Sequence, residues 1–159
     1  MASSATKKSV LFVCYGNFCR SPMAEGVFRD MVSQRADKDE WKIDSAGISD
    51  WHEGEYPDER TSATLESKIG HRLDHIGRQI TEDDYNKFHY IFGFDESNIS
   101  DINSMKPAGC EAVIQLLGEF DPQKQRVIAD SYYGDMSVFQ RVYNQCRRCL
   151  TAFLEKEFS

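Results

Sequence analysis

A chain of 159 residues, 40% hydrophobic and 28% charged, is sized for one domain with a core that needs no covalent staples. Its formal net charge of −7 leaves no basic stripe for non-specific nucleic-acid binding, so an anion site must be a local positive pocket in an acidic surface. No apolar run approaches the roughly 20 residues of a membrane span, and five cysteines without the spacing of a small secreted scaffold argue against a disulfide framework.

Residues 1–8 are small, polar and basic and read as a flexible arm ahead of a domain spanning 9–159. They lack the apolar stretch of a signal peptide, and Ala2 stands where myristoylation requires glycine, so a cytoplasmic protein with free thiols is expected. Val10-Leu11-Phe12-Val13 is a buried-strand run, and it predicts a first strand over 9–14. Gly16 and Asn17 tolerate positive φ. Ser21 can cap a helix and Pro22 fits its first turn, after which Val27, Phe28 and Met31 repeat at helical spacing through 21–36. A charged connector at 37–40 leads to a second strand over 41–46. The stretch 48–60 has little periodicity, is long enough to serve a function, and carries Trp51, His52 and Tyr56.

A helix over 61–70 ends near Gly70, residues 71–75 return to the core, and Thr81-Glu82-Asp83-Asp84 opens a short helix. Tyr90-Ile91-Phe92-Gly93-Phe94 predicts a third strand ending in Asp95. A helix over 97–105 is broken by Pro107-Ala108-Gly109, and 112–117 is a fourth strand. Residues 127–134 form a loop rich in Asp and Tyr. A final helix over 136–157 aligns Val138, Val142, Cys146, Cys149 and Phe153 on one face. This alternation predicts a single-domain α/β fold: a four-stranded parallel sheet with helices on both faces and a phosphate-binding loop after strand one. Its ligand site belongs at the strand C-termini, where Cys14, Ser45 and Asp95 fall.

Strand, tight loop and helix aim successive loop amides and a helix N-terminus at one point, which makes an anion site. Cys14 and Arg20 bracket that loop in a Cys-x5-Arg arrangement. Thiols at helix N-termini beside an arginine are the reactive ones, and a guanidinium fork holds two phosphate oxygens at once. A thiolate under a phosphate so held is placed for in-line attack on phosphorus. The plain alternative is a structural cysteine ending a strand, with Arg20 in a surface ion pair.

Cys14-Tyr15-Gly16-Asn17-Phe18-Cys19-Arg20-Ser21-Pro22 resembles the phosphate loop of the low-molecular-weight protein tyrosine phosphatases. The resemblance continues through Asp44-Ser45-Ala46, Asp95-Glu96-Ser97-Asn98, Asp121-Pro122-Gln123-Lys124-Gln125 and Asp130-Ser131-Tyr132-Tyr133-Gly134, in order along nearly the whole chain. It implies a cytosolic phosphatase acting on phosphotyrosine proteins and small aryl phosphates without metal or cofactor. Cys14 would form a phosphocysteine, Arg20 would bind the phosphoryl group, and Asp130 would act as general acid. Ser45, His75 and Asp95 would support the loop around Asn17 and Ser21, with Ser21 donating to the Cys14 sulfur as it leaves. Trp51, His52, Tyr132 and Tyr133 would wall the pocket mouth. Cys19 would be the reversible disulfide partner of the nucleophile, and Tyr132 or Tyr133 would be substrates of tyrosine kinases. A monomer or weak homodimer is expected.

The chain also departs from the family. Ser131 replaces the proline that usually follows the acid, which loosens the acid loop. Tyr15 and Phe18 are larger than the usual aliphatic residues and re-line the pocket. Two other readings compete. An arsenate reductase on the same fold needs a cysteine relay in a mobile segment, whereas Cys146 and Cys149 fall in a predicted helix, and their C-x-x-C lacks the second ligand pair of a zinc site. A phosphotyrosine-binding module with weak turnover is favoured only by Ser131.

Overall fold

The computed structural model describes residues 5–159. Strand β1 (Ser9–Cys14) pairs in parallel with β2 (Lys42–Gly47) on one side and β3 (Tyr90–Gly93) on the other, and β3 pairs with β4 (Val113–Leu116). The order is β2-β1-β3-β4, so β1 is flanked on both edges. Helix α1 (Arg20–Val32) follows β1, and α2 (Glu59–Ile69), α3 (Asp84–Lys87), α4 (Glu96–Ser104) and α5 (Met136–Phe158) complete the set. The four-stranded parallel sheet with helices on both faces is therefore the observed architecture. No helix among the described residues is long and apolar enough to cross a membrane.

Successive side chains of a strand point to opposite faces, and β1 is buried along its whole length. Val10, Phe12 and Cys14 join Met23, Val27 and Phe28 of α1, Leu65 of α2, and Phe139, Cys146, Cys149 and Phe153 of α5. Leu11 and Val13 join Tyr85 of α3 and Ile102 of α4 on the other face. Phe153 packs edge-on against Tyr90, Phe92 and Phe120, and Phe158 meets Tyr90 as well, so two rings key α5 to the sheet.

Several boundaries differ from the pattern in the sequence. Helix α1 ends at Val32 rather than 36, because Gln34 and Arg35 turn back to the carbonyls of Met31 and Val32 in the tighter i−3 pattern. Arg35 is then fixed by Asp37 and the Phe158 carbonyl. Part of the expected connector, Lys38–Glu40, forms a 3₁₀ turn. Helix α2 starts two residues early, capped by Asp58, whose carboxylate accepts from Arg60 N; Gly70 closes it at φ 90°. Helix α1 starts at Arg20 with Cys19 at the cap position, so Ser21 does not cap it; its hydroxyl is turned inward. Of the arm expected at 1–8, residues 1–4 lie outside the described residues, and Lys8 pairs with Asp37 and Glu40 at 3.1 Å each.

Candidate active site

Strand β1 delivers Cys14 to the C-terminal edge of the sheet, and the next residues curl around its sulfur. Asn17 takes φ 53°, the left-handed conformation its position suggested. Gly47 at the end of β2 leaves room for that curl: a Cβ there would stand 2.9 Å from the Asn17 amide nitrogen. Among the described residues, the amides of residues 16–19 donate to no protein acceptor, and they adjoin the first turn of α1. Ser21 presents its amide to the Cys14 sulfur at 3.5 Å and its hydroxyl at 3.1 Å. Two groups of Ser21, in the first turn of α1, thus meet the sulfur, next to a run of loop amides without a protein acceptor among the described residues.

Arg20 is buried, with one edge of its guanidinium hydrogen-bonded and the other without a hydrogen bond among the described residues. Its Nη1 donates to Asp95 Oδ2 at 2.7 Å and to the Ile128 carbonyl at 2.9 Å. Its Nε has no hydrogen-bond partner among the described residues, and Nη2 stands 3.9 Å from Asp130 Oδ2. Burial works against the charge on Arg20, but Cys14, Asp95 and Asp130 outweigh it and raise its pKa above the usual arginine value. An Nε–Nη2 edge free of hydrogen bonds is the geometry that takes two oxygens of one phosphate.

The loop is braced from beneath. Asn17 Nδ2 donates to Ser21 Oγ at 2.8 Å and to Ser45 Oγ at 3.0 Å. Asn17 Oδ1 accepts from His75 Nε2 at 2.8 Å and from Arg78 N at 3.1 Å, which assigns the proton to Nε2 of His75. Ser21 Oγ accepts from Asn17 while standing 3.1 Å from Cys14 Sγ, a distance from which its hydroxyl can donate to a thiolate. Ser45 Oγ donates to Glu25 Oε1 at 2.6 Å, and His75 Nδ1 lies 3.3 Å from the same oxygen. Glu25, Asp44 and His75 bring their ligand atoms within 4.8 Å of one another. Each is already engaged, Asp44 by Arg78 and the others by Ser45 and Asn17, so the cluster is a brace rather than a free cation site.

A cavity of about 410 Å³ opens above Cys14 and Arg20. Tyr15, Gly16, Phe18 and Cys19 line it below, and Trp51, His52, Asp130, Tyr132 and Tyr133 stand around the mouth. Phe18 and Tyr132 lie 6.3 Å apart, and Tyr132 meets Tyr133 edge-on at 4.8 Å. Tyr133 is almost wholly exposed, at 96%. Asp130 Oδ1 accepts from Tyr132 N at 3.1 Å, so the carboxylate is tied to the loop carrying the aromatic wall. Ser131 is buried and its hydroxyl has no partner among the described residues.

Cys19 is also buried, with Sγ 3.7 Å from Asp58 Oδ2. Burial, reinforced by the carboxylate of Asp58, pushes its thiol far above the usual range, so Cys19 stays protonated. Burial also raises Cys146, and it pushes Cys149 up to about 12. Both sit in the rigid interior of α5, where neither can serve a mobile relay.

The structure brings together every residue singled out for the site, and adds Glu25, Asp58 and Arg60. Glu25 carried no signal in the sequence, because its partner Ser45 lies on another element 20 positions away. Asp58 carried the signature of a helix cap. Arg60 carried none.

A family model described as low molecular weight phosphotyrosine protein phosphatase matches residues 9–158. The chain belongs to that family. It is thereby an enzyme of the protein-tyrosine-phosphatase class. The pig low molecular weight phosphotyrosine protein phosphatase is 51% identical over 158 residues, covering 98% of this chain and 99% of that protein. Among solved structures, a protein tyrosine phosphatase from Entamoeba histolytica superposes with TM-score 0.87 at 31% identity, covering 93% of this chain and 95% of the other. A Drosophila arginine phosphatase superposes with TM-score 0.86 at 34% identity, covering 94% and 98%.

Proposed function

We propose that the protein hydrolyses phosphotyrosine in proteins, and small aryl phosphates, through a phosphocysteine on Cys14. The observation that carries this reading is the Nε–Nη2 edge of buried Arg20, free of hydrogen bonds among the described residues, in a residue that lines one cavity with Cys14. A phosphoryl group seated there accepts from that edge and from the loop amides. Its phosphorus then lies in line between the sulfur and the leaving oxygen. The sulfur attacks, the P–O bond breaks, and Asp130 gives its proton to the departing phenolate, a contribution of about 10²–10⁴-fold. Asp130, now a carboxylate, takes a proton from the water that attacks the phosphocysteine. The S–P bond breaks, and Ser21 donates to the departing thiolate.

Tyr132 and Trp51 suit the faces of an aryl ring held above a deep phosphate site, a depth that a shorter phosphoserine does not span. Cys19 as disulfide partner of Cys14, Tyr132 or Tyr133 as a kinase substrate, cytosolic residence and a monomeric or weakly dimeric state belong to the same reading. Cys146 and Cys149, held inside α5 and away from the cavity that Cys14 and Cys19 line, count against arsenate reduction.

The test is phosphate release from p-nitrophenyl phosphate and from a phosphotyrosine peptide, in EDTA, comparing the protein with Cys14→Ser. Turnover that survives EDTA and disappears in the variant supports the reading. Release from phosphoarginine but not from the peptide would replace the substrate, and no turnover by the reduced protein would overturn the phosphatase assignment.

A further inference from the structure

We propose that Arg60 is a positioning residue that registers the acid-bearing loop on the phosphate loop, with Asp58 as its anchor; this rests on Asp130 being the general acid. Arg60 sits in the first turn of α2, distant in sequence from both loops. Its guanidinium is bidentate to Asp58, Nε at 3.0 Å and Nη2 at 2.8 Å. From that base it reaches across to two carbonyls of the acid loop: Nη1 donates to Gly134 O at 2.7 Å and Nη2 to Tyr132 O at 2.8 Å. Its Cζ lies over the ring of buried Phe139, 4.5 Å from the centroid, a further contact that favours this position of the guanidinium.

Both ends of this strap are fastened where the chemistry would occur. At its foot, Asp58 N donates to Phe18 O at 2.9 Å, Thr61 Oγ1 donates to Cys19 O at 3.1 Å, and the Cys19 thiol points to Asp58 Oδ2. At its head, Tyr132, whose carbonyl Arg60 holds, gives its amide to Asp130 Oδ1. Phosphate loop, Asp58, Arg60, Tyr132 and Asp130 form one continuous hydrogen-bonded path. Residue 131 is serine, which leaves the backbone after the acid without a ring to fix it. Two charge-assisted bonds from a pre-organised fork supply that restraint from outside the loop. A lysine cannot reproduce it, because one ammonium on a flexible stem does not grip Asp58 bidentately while spanning two carbonyls.

The experiment compares the unsubstituted protein with Arg60→Gln and Arg60→Lys on two readouts. The first is kcat/KM for phenyl phosphate, whose leaving group needs a proton, against 2,4-dinitrophenyl phosphate, whose leaving group does not. Arg60→Gln is expected to lower the first by about 10-fold or more, part of the general-acid contribution, and the second by less than about 3-fold. Arg60→Lys is expected to fall between. The second readout is amide hydrogen exchange, with residues 129–135 faster in both variants and β1 unchanged. Equal losses on the two esters, or unchanged exchange in 129–135, overturns the proposal. If the unsubstituted protein releases phosphate from neither ester, the phosphatase reading falls, and exchange alone decides whether Arg60 holds the loop.

Discussion

Phe18 and His52 lie ring on ring, their centroids 3.8 Å apart and their planes 3° from parallel. One belongs to the phosphate loop and the other to the irregular stretch before α2, so the stack joins the floor of the pocket to its rim. His52 is held from behind by Glu55 at 3.2 Å. Aromatic pairs contribute about 0.5–1.5 kcal/mol beyond their buried area. Replacing His52 with alanine is therefore expected to raise KM for a phosphotyrosine peptide by about 2- to 12-fold with little change in kcat. A steady-state comparison on one peptide checks it, and a loss confined to kcat would contradict it.

Ser21 offers a sharper kinetic signature. Its hydroxyl accepts from Asn17 and lies 3.1 Å from the sulfur, and a bond donated to the thiolate gains strength as the S–P bond breaks. Ser21→Ala should slow breakdown of the phosphocysteine by about 10- to 150-fold, the range for a hydrogen bond of about 1.5–3 kcal/mol to a charged group. Rapid-quench kinetics should then reveal a burst of phenol followed by slow turnover.

At Ser131 the expected change is a gain. A buried hydroxyl without a partner costs about 1–3 kcal/mol relative to a satisfied one. Ser131→Ala should raise Tm by roughly 2–4 °C for each kcal/mol recovered in a domain of this size. Ser131→Pro adds backbone restraint and should raise kcat/KM most for esters with poor leaving groups; calorimetry and the two-ester comparison read the two effects separately.

Acid sensitivity follows from the carboxylates that bind arginine. Burial raises the pKa of Asp121, yet the paired bonds and charge of Arg148 outweigh it and hold the carboxyl below its ordinary 3.8. A carboxyl depressed in the folded state contributes stability that is fully present above its unfolded pKa. That contribution is lost as pH falls below about 3.8 and through the folded value. Asp121→Asn should therefore lower Tm at neutral pH, and the gap should close in thermal melts as pH falls below that point. Asp58, where burial opposes and Arg60 prevails, should follow the same course.

What the sequence disclosed was mostly local. The strand, loop and helix from Ser9 to Val32 were legible because apolar run, Gly-Asn and Ser-Pro lie in one window. The final helix was legible because one apolar stripe persists along it. Arg60 was not, since its partners Tyr132 and Gly134 lie more than 70 positions away and nothing in α2 marks a helical arginine as a tether. Ser21 looked like a cap because serine before proline usually is one. Here the nearby sulfur and Asn17 compete for its hydroxyl, and the helix begins one residue earlier. The end of α1 was overrun because its polar last residues keep a helical composition while Arg35 is drawn to Asp37 and Phe158 O.

Because β1 has a strand on each side and a helical layer over each face, Cys14 is rooted in the segment that opens last. Local fluctuations of the rim can admit a reagent to its sulfur, but they cannot carry the sulfur away from the amides that surround it. Cys146 and Cys149 have no such doorway. A small alkylating agent should therefore modify Cys14 within the folded population and reach the α5 thiols only at the rate of global unfolding, so that Cys14 and the Cys146–Cys149 pair time two separate events in one molecule.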